Sequence, residues 1–254
     1  DTGCHPFTVN FLLISQGADT TKWDFGDGSP VDTTKEPTHI FTNPSATSDT
    51  FYIVELVTVS LYGCGSDTVR DTIVVHPKPV INTFTVTSLG CSPLTNTICG
   101  TATGATIYIW DYDDGGLPIN GTSDSCLTYI YLNTIDIPVF YDPVLIVENS
   151  DGCSDTATAT VTVLPEVTAS FSALPDTFGC HPFSVNFANL STGFGPGPAP
   201  PTYEWDFSYD SIPPINVEST LQDPSYVFTN SDTLLDTTYT VILIATGFPI
   251  CKDT

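Results

Sequence analysis

Three landmarks recur in this sequence in the same order, and a chain that repeats itself so must fold as an array of equivalent units. Gly-Cys-x-Pro stands at Gly3-Cys4-His5-Pro6, Gly90-Cys91-Ser92-Pro93 and Gly179-Cys180-His181-Pro182. Trp-Asp-aromatic follows at Trp23-Asp24-Phe25, Trp110-Asp111-Tyr112 and Trp205-Asp206-Phe207. A Tyr then precedes a second Cys at one fixed spacing, in Tyr52 and Cys64, Tyr141 and Cys153, Tyr239 and Cys251. The repeat length is roughly 90 residues.

Within each repeat the hydrophobic period is two. Phe7, Val9, Phe11 and Leu13 alternate with Thr8, Asn10 and Leu12, and Tyr52, Val54, Leu56 and Thr58 share one face of a later strand. The matching strand of repeat three carries Tyr239, Val241, Leu243 and Ala245. The last strand reads Val69, Asp71, Ile73, Val75 in repeat one and Ala157, Ala159, Val161, Val163 in repeat two. Turn clusters such as Gly26-Asp27-Gly28-Ser29-Pro30 separate the strands, and no segment has a 3.6-residue period. About seven short strands per repeat predict an immunoglobulin-like sandwich. The expected fold is therefore all-β, with tandem sandwiches arranged end to end over 1–78, 79–166 and 167–254.

The run Trp23-Asp24-Phe25-Gly26-Asp27-Gly28-Ser29, then Pro37-Thr38-His39-Ile40-Phe41-Thr42-Asn43, then Tyr52-x-Val54, resembles a PKD domain. Repeat two is similar through Trp110-Asp111-Tyr112-Asp113-Asp114-Gly115 and Tyr129-Ile130-Tyr131, and repeat three through Trp205-Asp206-Phe207 and Pro224-Ser225-Tyr226-Val227-Phe228. Repeat three departs where Ser208-Tyr209-Asp210 replaces the Gly-Asp-Gly turn. The resemblance covers essentially the whole chain, and the Cys-bearing form is similar to PKD repeats of very large surface proteins of gliding bacteria. It implies stalks, adhesins and surface fibres, or spacers in secreted hydrolases.

Composition narrows the partners. The 254 residues carry a net charge of −24 with only five Lys and Arg. No cationic footprint exists to release counterions from nucleic acid or to hold an anionic bilayer. The 41% hydrophobic and 11% aromatic content argues for packed cores rather than disorder. No apolar run approaches the roughly 20 residues that span a bilayer, so no membrane insertion is expected. No signal peptide opens the chain, which reads as a mature or excised segment. Eight scattered Cys, without a zinc-type C-x-x-C pair, predict disulfides and an extracellular or cell-surface location.

Strands precede Cys91 (81–87) and Cys180 (167–174), whereas repeat one begins directly at its Gly-Cys. Repeat three stops before the final strand seen at 68–75 and 156–164. Two readings stand: a window of a longer array, or strand exchange between subunits of a fibre.

With immunoglobulin-like strands labelled A to G, the first Cys of each repeat lies in the A–B loop and the second in the F–G loop, at opposite ends. A sandwich is about 25–35 Å tall, and disulfide Cα atoms must come within about 7 Å. Head-to-tail stacking then predicts bridges Cys4–Cys153 and Cys91–Cys251, with Cys64 and Cys180 reaching neighbouring units. The competing set, Cys4–Cys64, Cys91–Cys153 and Cys180–Cys251, requires a distorted A–B segment. Cys99 and Cys126 meet at one end of neighbouring strands B and E, a staple private to repeat two. The junctions Val75-His76-Pro77-Lys78-Pro79 and Val163-Leu164-Pro165-Glu166 are short and Pro-stiffened. Covalent ties across them would turn a hinged string into a rod.

Candidate chemistry is sparse. Trp23, Trp110 and Trp205 are expected core rings, with Tyr52, Tyr141 and Tyr239 as further core positions. No cofactor is expected, although calcium has loose candidates in Asp24, Asp27 and Asp32; no Asp-x-Asp-x-Asp-Gly loop occurs. Of the four His, His5 and His181 precede Pro in loops, His76 precedes a junction Pro, and His39 takes a place filled elsewhere by Tyr129 and Tyr226. No metalloprotease, serine-hydrolase or phosphate-loop motif appears, so no catalytic residue is assigned. The frequent Asp-Thr dipeptide is similar to O-glycosylation sites of the bacterial surface proteins just described, which marks Thr20, Thr33, Thr68, Thr72, Thr156, Thr233 and Thr237; turn Asp beside strand-favouring Thr is the structural alternative. Asn120-Gly121-Thr122 and Asn189-Leu190-Ser191 match the eukaryotic sequon. The 193–201 segment, rich in Gly and Pro, is a B–C insertion serving as filler or as a contact loop.

Two function classes follow. One is a non-enzymatic stalk, adhesin or filament segment whose partners are neighbouring PKD-like repeats or copies of itself. The other is an accessory module of a secreted hydrolase that contacts surface glycans or proteins.

Overall fold

The computed structural model describes residues 1–15, 18–62, 65–121, 125–195, 200–208, 215–232, 234–248 and 250–254. Every regular element among them is a strand. No helix there is long and apolar enough to cross a membrane.

Repeat one supplies β1 (Thr2–Cys4), β2 (Phe7–Asn10), β3 (Ala18–Asp24), β4 (Thr38–Phe41), β5 (Thr50–Ser60) and β6 (Ser66–His76). Repeat two supplies β7 (Val80–Thr85), β8 (Leu89–Cys91), β9 (Leu94–Thr103), β10 (Ile107–Asp111), β11 (Ile119–Gly121), β12 (Ser125–Tyr131), β13 (Val139–Tyr141), β14 (Val144–Glu148), β15 (Ser154–Thr158) and β16 (Val161–Leu164). Repeat three supplies β17 (Phe171–Leu174), β18 (Phe183–Asn189), β19 (Thr202–Asp206), β20 (Ser225–Phe228), β21 (Ile242–Gly247) and β22 (Cys251–Asp253).

Contacts gather the chain into two compact units, and the middle repeat contributes strands to both. The first comprises Asp1–Thr85, Ile98–Leu127 and Pro143–Ala159. In it β1-β6-β5-β3 form one sheet, β2 and β4 a second, and β11-β10-β14-β15 a third. The Trp strands register identically on their neighbours, Trp23 opposite Leu56 and Trp110 opposite Leu145. Side chains alternate across each strand, so one face of β3 and β5 closes over Val9, Trp23, Phe25, Phe41 and Val54. The second unit comprises Val86–Thr97, Thr128–Asp142 and Thr160–Thr254. It holds sheets β13-β16-β8, β17-β18-β20 and β19-β21-β22. Trp205 lies opposite Leu243, and its core adds Val185, Phe187, Tyr203 and Phe207.

Trp23, Trp110 and Trp205 are all buried. The three Tyr expected in the core are not. Tyr52 and Tyr141 are half-buried and Tyr239 is 37% exposed. The reason is the phenol, which needs a partner. Each ring edges onto a core ring (Phe41, Tyr131 or Phe228) while its hydroxyl donates to a backbone carbonyl upstream. Tyr52 reaches Thr42 O at 2.6 Å, Tyr141 reaches Leu132 O at 2.7 Å, and Tyr239 bonds Thr229 O. The strand expected through Leu13 stops at Asn10. The last strand of repeat two is broken at Ala159 and Thr160 into β15 and β16, which pair with different sheets.

Candidate functional site: the cysteine clamps

A short strand carries the first Cys of a repeat to the place where the chain leaves that repeat. β1 runs parallel to the end of β6, with Cys4 opposite His76, and β8 runs parallel to β16, with Cys91 opposite Leu164. Backbone bonds continue the pairing, from His5 N to His76 O at 3.1 Å and from Ser92 N to Leu164 O at 2.9 Å. The preceding glycine is required by close approach. A Cβ on Gly3, Gly90 or Gly179 would sit 2.2–2.3 Å from the side chain of Phe7, Leu94 or Phe183. The residue after the Cys is an acceptor in every repeat: Asn43 N donates to His5 Nδ1, Asn133 N to Ser92 Oγ, and Asn230 N to His181 Nδ1. The Asn side chains then close the turn, and those of Asn43 and Asn133 also fasten the last strand through Val75 O and Val163 O, each at 2.8 Å.

Of the second Cys residues, Cys153 directly precedes β15 and Cys251 opens β22. In the first unit, Asn149 Oδ1 accepts the N–H groups of Asp151 and Cys153, and Gly152 takes a positive φ of 78° that favours glycine. Asn149 Nδ2 donates to Pro77 O at 2.9 Å, so this turn grips the junction directly. Asp155 completes the grip. Its carboxylate meets Lys78 Nζ at 2.8 Å and accepts Ile81 N at 3.1 Å. Burial pushes the Asp155 carboxyl up, but the bonds from Lys78 and Ile81 outweigh it and hold the pKa below the ordinary carboxylate range. In the second unit Asp253 accepts Ala169 N at 2.9 Å in the same way.

Three disulfides tie these elements. Cys4–Cys153 and Cys91–Cys251 have Cα separations of 5.5 and 5.6 Å and span 149 and 160 residues of sequence. Each joins the first Cys of one repeat to the second Cys of the next. Cys99–Cys126 closes a loop within repeat two, its Cα atoms 4.1 Å apart. Cys180 is a free, exposed thiol, and Cys64 lies outside the described residues.

The other candidates are placed as follows. Asp24, Asp27 and Asp32 do not gather at one point. Asp24 caps Gly26 N, Asp27 caps Ser29 and contacts His39 Nε2 at 2.7 Å, and Asp32 caps Thr34. Burial raises the Asp27 carboxyl, while bonds from Ser29 and His39 bring it down to about 2. Bonds from Thr34 lower that of Asp32. His39 stacks on Phe25 at 3.8 Å, as Tyr226 does on Phe207 at 4.4 Å. Among the described residues, only Asp49, His76 and Asp151 converge as metal ligands do, and His76 Nδ1 already meets Asp49 at 2.9 Å. Thr20, Thr33, Thr68, Thr72, Thr156 and Thr237 are all exposed, and Thr233 lies outside the described residues. The sequon residue Thr122 and residues 196–199 of the Pro-rich insertion are also outside them.

Asn149, Asp155, Asp253 and the Asn43, Asn133 and Asn230 series were missed by sequence reasoning. The Asn series carried a signal, since it stands at nearly constant distance before the recurring Tyr. Asp155 and Asp253 were hidden because Asp-Thr is frequent along the chain.

The strand topology and registers make this chain a tandem of immunoglobulin-like β-sandwich repeats crossed by disulfides. No protein-family model and no curated protein matches it. Among solved structures it is similar to the Clostridium thermocellum CbhA fibronectin(III)-like modules, at 15% identity over 64% of this chain and 87% of that one, with a TM-score of 0.30. It is similar also to PcdhgB3 EC1-4, at 10% identity over 97% and 64% with a TM-score of 0.32, and to the chicken CNTN1 FN1-FN3 domains, at 13% over 90% and 83% with a TM-score of 0.28.

Proposed function

We propose that this chain is a non-enzymatic extracellular structural segment, of PKD type, in a surface stalk, adhesin or filament, and that its inter-repeat disulfides carry tension. The observation that supports this is the pairing of Cys4 with Cys153 and Cys91 with Cys251. Force applied between Cys4 and Cys251 has a covalent short cut. It passes through Cys4–Cys153, runs back to Cys91, skips residues between Cys126 and Cys99, and leaves through Cys91–Cys251. About 35 residues of backbone remain in that path, roughly 120 Å when taut. Unbridged, the same span would extend to roughly 850 Å. On the chain-entropy relation each long bridge also removes roughly 5 kcal/mol of freedom from the unfolded state.

Within this reading Cys180 awaits the second Cys of a following repeat, as Cys4 and Cys91 find theirs. The exposed Thr of the Asp-Thr pairs are the proposed glycan acceptors. A native-source intact mass above that of the bare polypeptide supports that assignment, and an equal mass removes it.

Single-molecule stretching tests the function. Oxidised protein held near its ends should stop extending at about 120 Å between Cys4 and Cys251 and should lengthen several-fold on reduction. A limit near 190 Å, which pairing within each repeat would give, contradicts the proposal.

A further inference from the structure

Three metal-ligating side chains converge where the chain passes from repeat one to repeat two. Asp49 directly precedes β5, His76 ends β6, and Asp151 lies in the turn before Cys153. One ligand atom from each lies within 4.8 Å of the other two. His76 Nδ1 meets Asp49 Oδ1 at 2.9 Å. Asp49 and Asp151 are exposed and His76 is half-buried, so the cluster is open to solvent. Among the described residues no Lys or Arg pairs with either carboxylate; Arg70 is held by Glu55 and Lys78 by Asp155. His76 apart, two anionic groups therefore face each other with no side-chain cation beside them, in a chain of net charge −24.

The clamp that presents the disulfide also sets these ligands. Asn43 Nδ2 donates to Ser48 O and to Val75 O, each at 2.8 Å, and those residues directly precede Asp49 and His76. Asn149 holds the third ligand. Its Oδ1 accepts Asp151 N at 3.0 Å while its Nδ2 donates to the carbonyl of Pro77, the residue after His76. Cys4 lies opposite His76, and its partner Cys153 stands two residues after Asp151. The counterpart positions in the next pair of repeats carry none of these donors. Cys4 faces His76 as Cys91 faces Leu164, so His76 matches Leu164. Thr50 faces Val75 as Val139 faces Val163, so Asp49 matches Pro138. Counted back from Cys153 and Cys251, Asp151 matches Pro249. All three change together from ligand to hydrocarbon, which a shared ion explains and three unrelated surface residues do not.

We propose that Asp49, His76 and Asp151 bind a divalent first-row transition ion of the Zn2+ type across this junction. An imidazole nitrogen with two carboxylate oxygens is a mixed set that suits Zn2+, whereas Ca2+ takes oxygen ligands alone. The ion takes the place of the hydrogen between His76 Nδ1 and Asp49 Oδ1, and solvent completes its coordination. Asp49 and His76 belong to repeat one and Asp151 to repeat two, so the ion is a second, reversible tie beside Cys4–Cys153. The assignment does not depend on the load-bearing role, because binding alone reads it.

The test titrates the whole oxidised, chelator-stripped chain with Zn2+ alone, after maleimide has blocked free thiols such as Cys180. Calorimetry should show saturable uptake of one ion per chain at micromolar Zn2+. Amide exchange should slow at His76 and at Asp151 to Cys153, but not at Cys251 to Asp253. His76→Leu, which copies the residue at the matching place in the next repeat, should weaken uptake at least about tenfold. Asp151→Asn, a change at an exposed position, should do the same without touching the fold. His39→Gln should leave uptake unchanged. No saturation up to millimolar Zn2+, or uptake that either His76→Leu or Asp151→Asn leaves unchanged, overturns the proposal. So does Ca2+ binding as tight as that of Zn2+ and indifferent to His76→Leu, which would reduce the site to a loose group of carboxylates. The stretching limit set by the disulfides is read without added metal, so the two proposals fail separately.

Discussion

The imidazole Nδ1 of His5 accepts the backbone N–H of Asn43 at 2.9 Å, which makes a loop histidine part of the clamp that presents Cys4. Ser92 does the same for Asn133 at 3.0 Å, so the requirement is an acceptor, not an imidazole. His5→Ser should therefore cost under about 1 kcal/mol, whereas His5→Leu, which leaves the Asn43 donor without its acceptor, should cost about 1–3 kcal/mol. Denaturant unfolding of the two variants checks the contrast, and equal losses would remove the argument.

The Tyr and Trp landmarks should differ in energy. Tyr141→Phe keeps the ring but deletes its bond to Leu132 O, so a loss of about 1 kcal/mol is expected. Trp110→Ala empties a fully buried site and should cost about 3–5 kcal/mol. Thermal or chemical melts that rank them in the opposite order would mean that Tyr141 is the true core residue.

Asp155 makes junction stability depend on pH. Its folded pKa is depressed, so its contribution is present above the unfolded value of about 3.9 and is lost as pH falls through the lower folded value. Asp155→Ala should destabilise by about 1–2 kcal/mol at pH 7, with the difference from wild type shrinking below pH 4. A difference that persists unchanged at pH 2 would mean the carboxylate charge plays no part. Asp27, with its pKa near 2, should show the same sign over about pH 4 to 2.

Cys180 is a free thiol on the surface of the isolated chain. Maleimide should label Cys180 without reduction, while Cys4, Cys91, Cys99, Cys126, Cys153 and Cys251 stay unlabelled. In native assembled material the same thiol should be protected by a neighbouring unit. Labelling at Cys4 or Cys251 in oxidised protein would contradict the bridges.

What the sequence made legible was whatever repeats with a period. Strand alternation, the Trp cores and the turn glycines follow from local chemistry written three times. The reach limit on disulfides also separated the two pairing sets, because strand direction places the two recurring Cys at opposite ends of a repeat. Three features were harder to see. Tyr239 reads as core from its spacing, but a phenol with a carbonyl in range stays at the rim. Asp155 and Asp253 act on residues 74 and 84 positions away, and no local pattern distinguishes them from other Asp-Thr pairs. Gly3 needs its hydrogen side chain because of the Phe7 ring, a demand visible only in three dimensions.

Mass-spectrometric mapping of the unreduced protein, digested with pepsin at acid pH so that thiols cannot exchange, addresses the covalent short cut itself. Peptides joining Cys4 to Cys153, Cys91 to Cys251 and Cys99 to Cys126 are predicted. A peptide joining Cys4 to Cys64, or Cys91 to Cys153, would contradict the account.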